Sequence, residues 1–306
     1  MKAAVITANG FGDGLIMMIA SHQLTKAGYK VTTFNDHLGQ IGDWFTNQSF
    51  QNQPKEGDDL SEFDLIILQH DNSKKSKYLI KNYRDKLTIL YPSYNKNRHP
   101  KFTDKDFVFN GNKPIVCEVA KALSSLFNIE YCIENGLKIP SELTLKHVPS
   151  RIAIHPTSTT PLRTWTLSKF VAVAKWLLKR GYSPLFCLSP KERSELMPHI
   201  PEWIEIPNIQ TLGDMAKVIA ESQFVVGNES GIVHLASNLN IPFLVIAGNG
   251  KRIQQWQPGW RIGEVITPPN WVPNMKGMRL RENHWQHFIP TSQVTKSINT
   301  AMSEIK

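Results

Sequence analysis

Asp13 stands alone among glycines in NGFGDGLIMM (residues 9–18), with Gly10, Gly12 and Gly14 around it and an apolar run directly after. A strand-like run precedes this stretch and a helix-like run follows it. In that setting a glycine loop can cradle a dinucleotide, cap the helix through Asp13, or present Asp13 as an ionised general base at the carboxyl edge of a parallel sheet. The dinucleotide fingerprint G-x-G-x-x-G/A fails on spacing: counted from Gly10 the last position is Leu15, and counted from Gly12 it is Met17. Asp36, near the end of the second expected strand, keeps that reading open, because a ribose-binding acid belongs there. A carboxylate beside a helix N-terminus would repel a pyrophosphate, yet the same dipole would hold it ionised.

Two stretches in the second half carry anion-binding chemistry. HPTSTTPLRTW (155–165) leaves a strand and enters a helix through hydroxyls, among them Thr159 and Thr160, with the guanidinium of Arg163 in the same loop. Hydroxyls, backbone amides and one planar cation make a phosphate-binding surface; the plain alternative is a polar loop with Thr166 as helix cap. VVGNESGIVH (225–234) runs strand, tight turn, helix, so the amides of Ser230, Gly231 and Ile232 point at a diphosphate with the macrodipole in favour. Glu229 is then placed to accept hydrogen bonds from ribose or sugar hydroxyls, and His234 to pack or hydrogen-bond beside the turn. His284 and His287 have a spacing that can bind metal on a helix but read as surface or packing residues, while Trp256 and Trp260 suit either a nucleobase or the core.

The elements that must position these groups alternate regularly. Ala3–Thr7, Lys30–Phe34, Asp64–His70 and Lys86–Tyr91 read as buried parallel strands, Gly14–Ala27 and Lys113–Phe127 as helices, which predicts a doubly wound α/β domain over 1–145. IPSELTLKHVPS (139–150), with two prolines and little periodicity, reads as an interdomain connection. The alternation restarts over 151–290: strand Arg151–His155, helix Thr166–Arg180, strand Pro184–Leu188, helix Leu212–Ser222, strand Phe224–Gly227, helix Gly231–Leu239, strand Pro242–Ala247. A last helix covers 291–306, with nothing in it to say which domain it packs on.

Composition narrows the function classes. The 306 residues allow two domains, and 41% hydrophobic with 20% charged residues is an ordinary globular mixture. No apolar stretch approaches the roughly 20 residues that cross a bilayer, and the N-terminus reads as a first strand of a cytoplasmic protein. Cys117, Cys132 and Cys187 are odd in number and form no C-x-x-C, against a disulfide framework or a zinc knuckle. Net charge is 35 − 26 = +9, divided as 18 − 16 = +2 over residues 1–150 and 17 − 10 = +7 over 151–306. A basic second half suits a phosphate-bearing ligand or an anionic membrane surface, and no nucleic-acid motif accompanies it.

The stretch GNESGIVHLASNLNIPFLVIAG resembles the G-[ND]-[DE/ST]-[ST]-G-x-x-H-L-A-A-x-L-x-x-P block of family 9 glycosyltransferases, the heptosyltransferases of lipopolysaccharide inner-core synthesis. LRTWTLSKFVAVAKWLLKRGY resembles that family's K-x-W-P-x-x-x-F helix entry, and GFGDGLIMM its N-terminal G-D-x-L-x-x-x-P turn. The three matches follow the family's order. Arg163 stands where the family has Lys, exchanging a point charge for a planar fork. Thr166 replaces its Pro, Glu229 its Asp, and the Pro closing the first turn is absent, with Met18 and Ile19 nearby.

The resemblance implies two Rossmann-like domains facing across a cleft, the GT-B fold. It implies an N-terminal acceptor-binding domain and a C-terminal domain for a nucleotide-sugar donor, ADP-linked, with heptose the sugar. The reaction it implies is inverting displacement onto a lipopolysaccharide core or related glycan or glycolipid acceptor, with Asp13 as base and Gly12 and Gly14 shaping the acceptor-side turn. Thr159, Thr160, Arg163, Glu229, Ser230, Gly231, Ile232 and His234 hold the donor on this reading. It needs no cofactor and no metal, excludes nucleic acid, and allows peripheral contact with the cytoplasmic face of the inner membrane. The competing readings are a nucleotide-sugar epimerase of the same architecture, a nicotinamide enzyme using GFGDGL, and a catalytically silent nucleotide-sugar-binding homologue.

Overall fold

The computed structural model describes residues 1–248, 250–261, 263–275 and 278–303. The chain divides into two compact units, Met1–Pro140 and Ser141–Lys306.

In the first unit, β1 (Lys2–Ile6), α1 (Phe11–Lys26), β2 (Lys30–Phe34), β3 (Ser49–Gln51), β4 (Leu65–Gln69), α2 (Lys74–Tyr83), β5 (Leu87–Tyr91), β6 (Phe107–Val108) and α3 (Ile115–Phe127) follow in turn. The strands form one parallel sheet in the order β3-β2-β1-β4-β5-β6. Such order reverses direction between β1 and β4, and ligands of doubly wound sheets bind outside the carboxyl ends of the strands at that point. Ala4, Ile6, Ile66, Leu68, Leu87 and Ile89 form part of its core, which is why these strands read as short apolar runs.

In the second unit, β7 (Val148–His155), α4 (Leu167–Leu178), β8 (Ser183–Phe186), α5 (Pro190–Leu196), α6 (Leu212–Glu221), β9 (Ser222–Asn228), α7 (Gly231–Asn238), β10 (Phe243–Ile246), α8 (Gly250–Trp256), β11 (Glu264–Ile266), the short α9 (Leu280–Asn283) and α10 (Thr291–Ser303) build a five-stranded parallel sheet, β11-β10-β9-β7-β8. Its reversal lies between β7 and β9, the two strands that lead into the hydroxyl-rich loop and the Asn-Glu-Ser-Gly turn. The final helix packs on this unit: Val294, Ile298 and Met302 join the core of Trp165, Phe170 and Phe224. Residues 304–306, the end of the helix expected from the sequence, lie outside the described residues.

Helix α1 begins three residues before the expected Gly14, so Gly12 and Asp13 occupy its first turn rather than a loop ahead of it. Glycine is tolerated there because first-turn amides have no helical acceptor to lose. The reason for Gly14 is packing: a Cβ would lie 3.0 Å from both Asn35 and Leu38. Gly12 and Gly14 are both buried, and Gly14 permits the close approach of helix α1 to Asn35 and Leu38.

Candidate active site

Asp13 emerges after β1 at the first sheet's reversal point. It is half-buried, and Gln69, the last residue of β4, donates Nε2 to its Oδ1 at 2.8 Å while accepting from the Ala8 amide at 2.9 Å. One glutamine therefore fixes both the loop and the carboxylate. Gly10 is the N-cap, and a Cβ there would stand 2.6 Å from Asp13 Oδ2, so a larger residue would displace the carboxylate from its present rotamer.

Beneath the loop lies Lys75, whose side chain is 10% exposed. Its Nζ donates to Thr7 O at 2.7 Å and Gln53 Oε1 at 2.8 Å, and stands 3.6 Å from Asp71. Burial lowers the Lys75 pKa, while the charges of Asp71, Asp36 and Asp13 act in the opposite direction. Asn35 completes the support by donating to Thr7 Oγ1 at 2.8 Å and Gly10 O at 3.2 Å. Asp36, the ribose candidate of the dinucleotide reading, accepts the Gln53 amide at 2.8 Å.

In the second unit the hydroxyl-rich loop is braced by residues other than the expected pair. Ser158 donates to Thr160 O at 2.8 Å and lies 3.0 Å from the Thr164 hydroxyl, while Thr157 donates to Glu192 Oε1 at 2.5 Å and lies 3.2 Å from His155 Nε2. Burial lowers the His155 pKa, while the nearby Glu192 carboxylate acts in the opposite direction. Thr159 and Thr160 remain exposed, with no side-chain hydrogen bond among the described residues, and Arg163 is half-buried. Thr166 is the N-cap of α4 but makes no capping hydrogen bond.

Asn228, fully buried at the end of β9, joins the two halves of this region. Its Oδ1 accepts the Trp165 amide at 2.8 Å and its Nδ2 donates to Thr157 O at 3.3 Å, so a single amide stitches both ends of the hydroxyl loop to the strand entering the α7 turn. Trp285 clamps the loop from the other side, donating Nε1 to Leu162 O at 2.7 Å. Its indole packs so closely on Gly248 that a Cβ there would collide at 2.6 Å.

Ser230 is the N-cap of α7, yet its hydroxyl makes no capping bond and lies buried without a partner among the described residues. Gly231 and Ile232 open the helix, where amides lack intrahelical acceptors. His234, one turn on, is 7% exposed; burial pushes it down to about 4, against a hydrogen bond to the Trp256 carbonyl, and its Nδ1 is also unpartnered among the described residues. The unpaired Ser230 hydroxyl is the opposite of what a sealed core turn would leave. The Glu229 side chain is 9% exposed, and its Oε2 accepts Arg252 Nε at 3.4 Å.

Residue types and spacing located Asp13 and both second-unit loops. They missed Gln69, Lys75, Asn35, Glu192, Trp285 and Arg252. Asn228 was inside the quoted motif but had no assigned role. Among the described residues no group of three or more His, Cys, Asp or Glu is placed to hold a metal ion, and no helix is long and apolar enough to cross a membrane.

Comparison with known proteins follows the same division. Residues 132–260 match the sequence model of Glycosyltransferase family 9 (heptosyltransferase). No curated protein sequence matches the chain. Among solved structures, the Escherichia coli ADP-heptose lipopolysaccharide heptosyltransferase II is similar with a TM-score of 0.72 at 15% identity, covering 99% of each chain. A glycosyl transferase family 9 protein from Veillonella parvula DSM 2008 gives 0.71 at 17% identity, covering 99% of this chain and 97% of that one. E. coli heptosyltransferase WaaC with ADP gives 0.67 at 13% identity, covering 98% and 100%. Residues 132–260, which include GNESGIVHLASNLNIPFLVIAG, thus resemble Glycosyltransferase family 9 (heptosyltransferase) in sequence, and the whole chain has the fold of these structures, the two Rossmann-like domains of GT-B.

Proposed function

We propose that the chain transfers a sugar, heptose from an ADP-linked donor, onto a glycan or glycolipid acceptor of the lipopolysaccharide core type, with inversion at the anomeric carbon. One observation carries the reading: each sheet has its candidate chemistry at its reversal point, a carboxylate in the first and an anion-binding turn in the second. ADP is favoured because the similar WaaC structures contain ADP and ADP-2-deoxy-2-fluoro heptose.

In the reaction, the acceptor oxygen bonds to the anomeric carbon as the bond from that carbon to the diphosphate oxygen breaks. Asp13 takes the hydroxyl proton, and ADP leaves with the bonding electron pair. Negative charge grows on the leaving diphosphate, where Arg163, the Thr159 and Thr160 hydroxyls, Ser230 and the amides of Gly231 and Ile232 stabilise it in advance. Neutral His234 packs behind that turn. No step draws on a metal or a cofactor.

The acceptor side carries its own cations. Lys96, Arg98 and Lys101 are exposed, without an acidic partner among the described residues, on a turn whose Tyr94 and His99 rings pack on Tyr91 at the end of β5. Two strand spacings, roughly 10 Å, separate β5 from β1. That distance suits an anionic glycolipid whose reacting hydroxyl lies at Asp13, and the same cations suit peripheral contact with an anionic membrane face.

The test is a thermal-shift panel of ADP, UDP, GDP, CMP and NAD, followed by product analysis with ADP-heptose. A ligand at a hundred times its Kd stabilises by about 2.7 kcal/mol, so the true nucleotide stands out. Stabilisation by ADP and formation of an inverted glycoside are expected. Stabilisation by NAD alone would restore the dinucleotide reading, and a flat panel would remove the donor assignment.

A further inference from the structure

His155, the last residue of β7, is a buried histidine that the proposed reaction does not use, and its neighbours assign its protons. Its Nε2 lies 3.2 Å from Thr157 Oγ1, that hydroxyl lies 2.5 Å from Glu192 Oε1, and ring and carboxylate stand 4.0 Å apart. Burial works to raise the Glu192 pKa, but His155, the Thr157 hydroxyl and the Ser189 amide together hold it below the usual range, so this carboxylate only accepts. A hydroxyl has one proton to give, and Thr157 gives it to Glu192. Thr157 therefore accepts from His155, which places the ring proton on Nε2. Nδ1 is left as an acceptor, buried and without a hydrogen-bond partner among the described residues.

The ring stands where the chemistry of the second unit converges. His155 pairs in register with Gly227 of β9, the strand that enters the Ser230 turn, and it opens the loop that carries Thr159, Thr160 and Arg163. A Cβ on Gly227 would lie 3.6 Å from His155 Cβ and 3.1 Å from Val233 of α7, so the imidazole leaves the sheet on the face that α7 covers. Burial keeps the His155 pKa below its ordinary value against the Glu192 carboxylate and the Thr157 backbone, which both favour a second proton. Two other titratable groups nearby are neutral near pH 7: burial pushes up the thiol of Cys187, whose amide donates to Ile154 O, and pushes His234 of α7 down to about 4. A bound anion would add to the two groups that favour the charged ring.

We propose that His155 is a proton-linked positioning residue of the donor site: when a nucleoside diphosphate binds, Nδ1 takes a proton from solvent, and Glu192, acting through Thr157, holds the ring in the tautomer that leaves Nδ1 open to it. The imidazolium adds positive charge on the side where the leaving diphosphate gains negative charge. Its proton returns to solvent when the nucleotide departs.

This rests on the donor reading, and the experiment separates the two. ADP is titrated calorimetrically in phosphate and in Tris, whose ionisation enthalpies differ, so the difference in apparent enthalpy counts the protons exchanged. Near pH 7 the wild-type chain should take up about 0.3–1 proton per ADP more than His155→Gln, whose amide can still donate to Thr157. That variant should bind ADP about three- to tenfold more weakly near pH 7 and almost normally near pH 9, and Glu192→Gln should shift in the same direction. Ring nitrogen chemical shifts of the wild-type chain need no variant: His155 should show one proton, on Nε2, without ADP and protons on both nitrogens with it. Equal proton counts in wild type and His155→Gln, or a ring that keeps a single proton with ADP bound, would overturn the linkage while leaving the diphosphate site standing. If the wild-type chain does not bind ADP, the donor reading itself falls.

Discussion

Replacing Asn228 with Ala should loosen the hydroxyl loop without touching any group expected to meet the donor. The side chain is fully buried and makes two hydrogen bonds, from the Trp165 amide at 2.8 Å and to the Thr157 carbonyl at 3.3 Å. Leaving a buried polar partner unpaired costs about 1–3 kcal/mol. Trp165 is fully buried, so its amide falls in the middle of that range; Thr157 is half-buried and can recruit water, so its carbonyl falls at the low end. The sum is about 3 kcal/mol, or a fall in Tm of roughly 6–12 °C for a unit of this size. Because the released segment carries Thr159, Thr160 and Arg163, ADP affinity should fall about tenfold or more even at temperatures where the protein remains folded. Asn228→Asp sharpens the test: it keeps an acceptor for Trp165 but sets a carboxylate against the Thr157 carbonyl, so it should be at least as damaging despite its similar size. Circular dichroism and calorimetry with ADP measure both effects. An Ala variant with unchanged ADP affinity and a Tm within about 2 °C of wild type would refute the argument that this amide holds the loop.

Asp13→Asn should lower sugar transfer by about 10²–10⁴-fold with ADP binding unchanged, since it removes the base and leaves the second unit alone; steady-state transfer rates beside ADP calorimetry check it. Arg163→Ala should weaken ADP by about 10–100-fold, corresponding to roughly 1.5–3 kcal/mol for a charge-assisted contact, and Arg163→Lys should recover part of it. Changing Lys96, Arg98 and Lys101 together to Gln should raise the KM for an anionic acceptor and flatten its salt dependence while the donor KM holds. His234 predicts an acid-side loss of stability. The unfolded chain takes up this proton near pH 6.5, while the folded chain refuses it until about pH 4. Stability from this group is therefore complete above pH 6.5 and falls by about 3 kcal/mol as pH drops to 4, and urea titrations of His234→Asn should show a shallower slope across that window.

The parallel strands were legible because strands covered on both faces read as short apolar runs, as in Ile66 to Leu68 and Val225 to Val226. Helix α2 was missed because its apolar stripe is short and set among lysines: Leu79 is buried, while Tyr78, Ile80 and Tyr83 pack on the core only partly buried. Its Ser73 cap was visible but unremarkable among other serines. At the site, Asp13, Arg163 and Ser230 lie at strand-to-helix connections whose residue types already imply chemistry. Gln69, Lys75 and Trp285 do not. Gln69 meets Asp13 only because β4 is the sheet neighbour of β1, 56 residues away in the chain, and Trp285 meets Leu162 across 123. Sheet order supplies Gln69 and long-range packing supplies Trp285, and no local pattern encodes either.

Sheet order also bears on the division of labour between the two units. Each has a reversal point with a helix starting at it, the arrangement that ordinarily draws an anion. In the first unit the chain fills that place with its own negative charge: Asp13 sits in the first turn of α1, bonded by Gln69, with its other oxygen packed over Gly10. A diphosphate there would meet a carboxylate. In the second unit the acid next to the turn is Glu229, and Arg252 takes up its charge, while the Ser230 hydroxyl lies unpaired among the described residues. Two similar supersecondary units thus differ in whether the helix N-terminus is already answered by the chain itself. That difference supports the proposed division, with the donor on the second unit and Asp13 as the base, and it does so without reference to any relative.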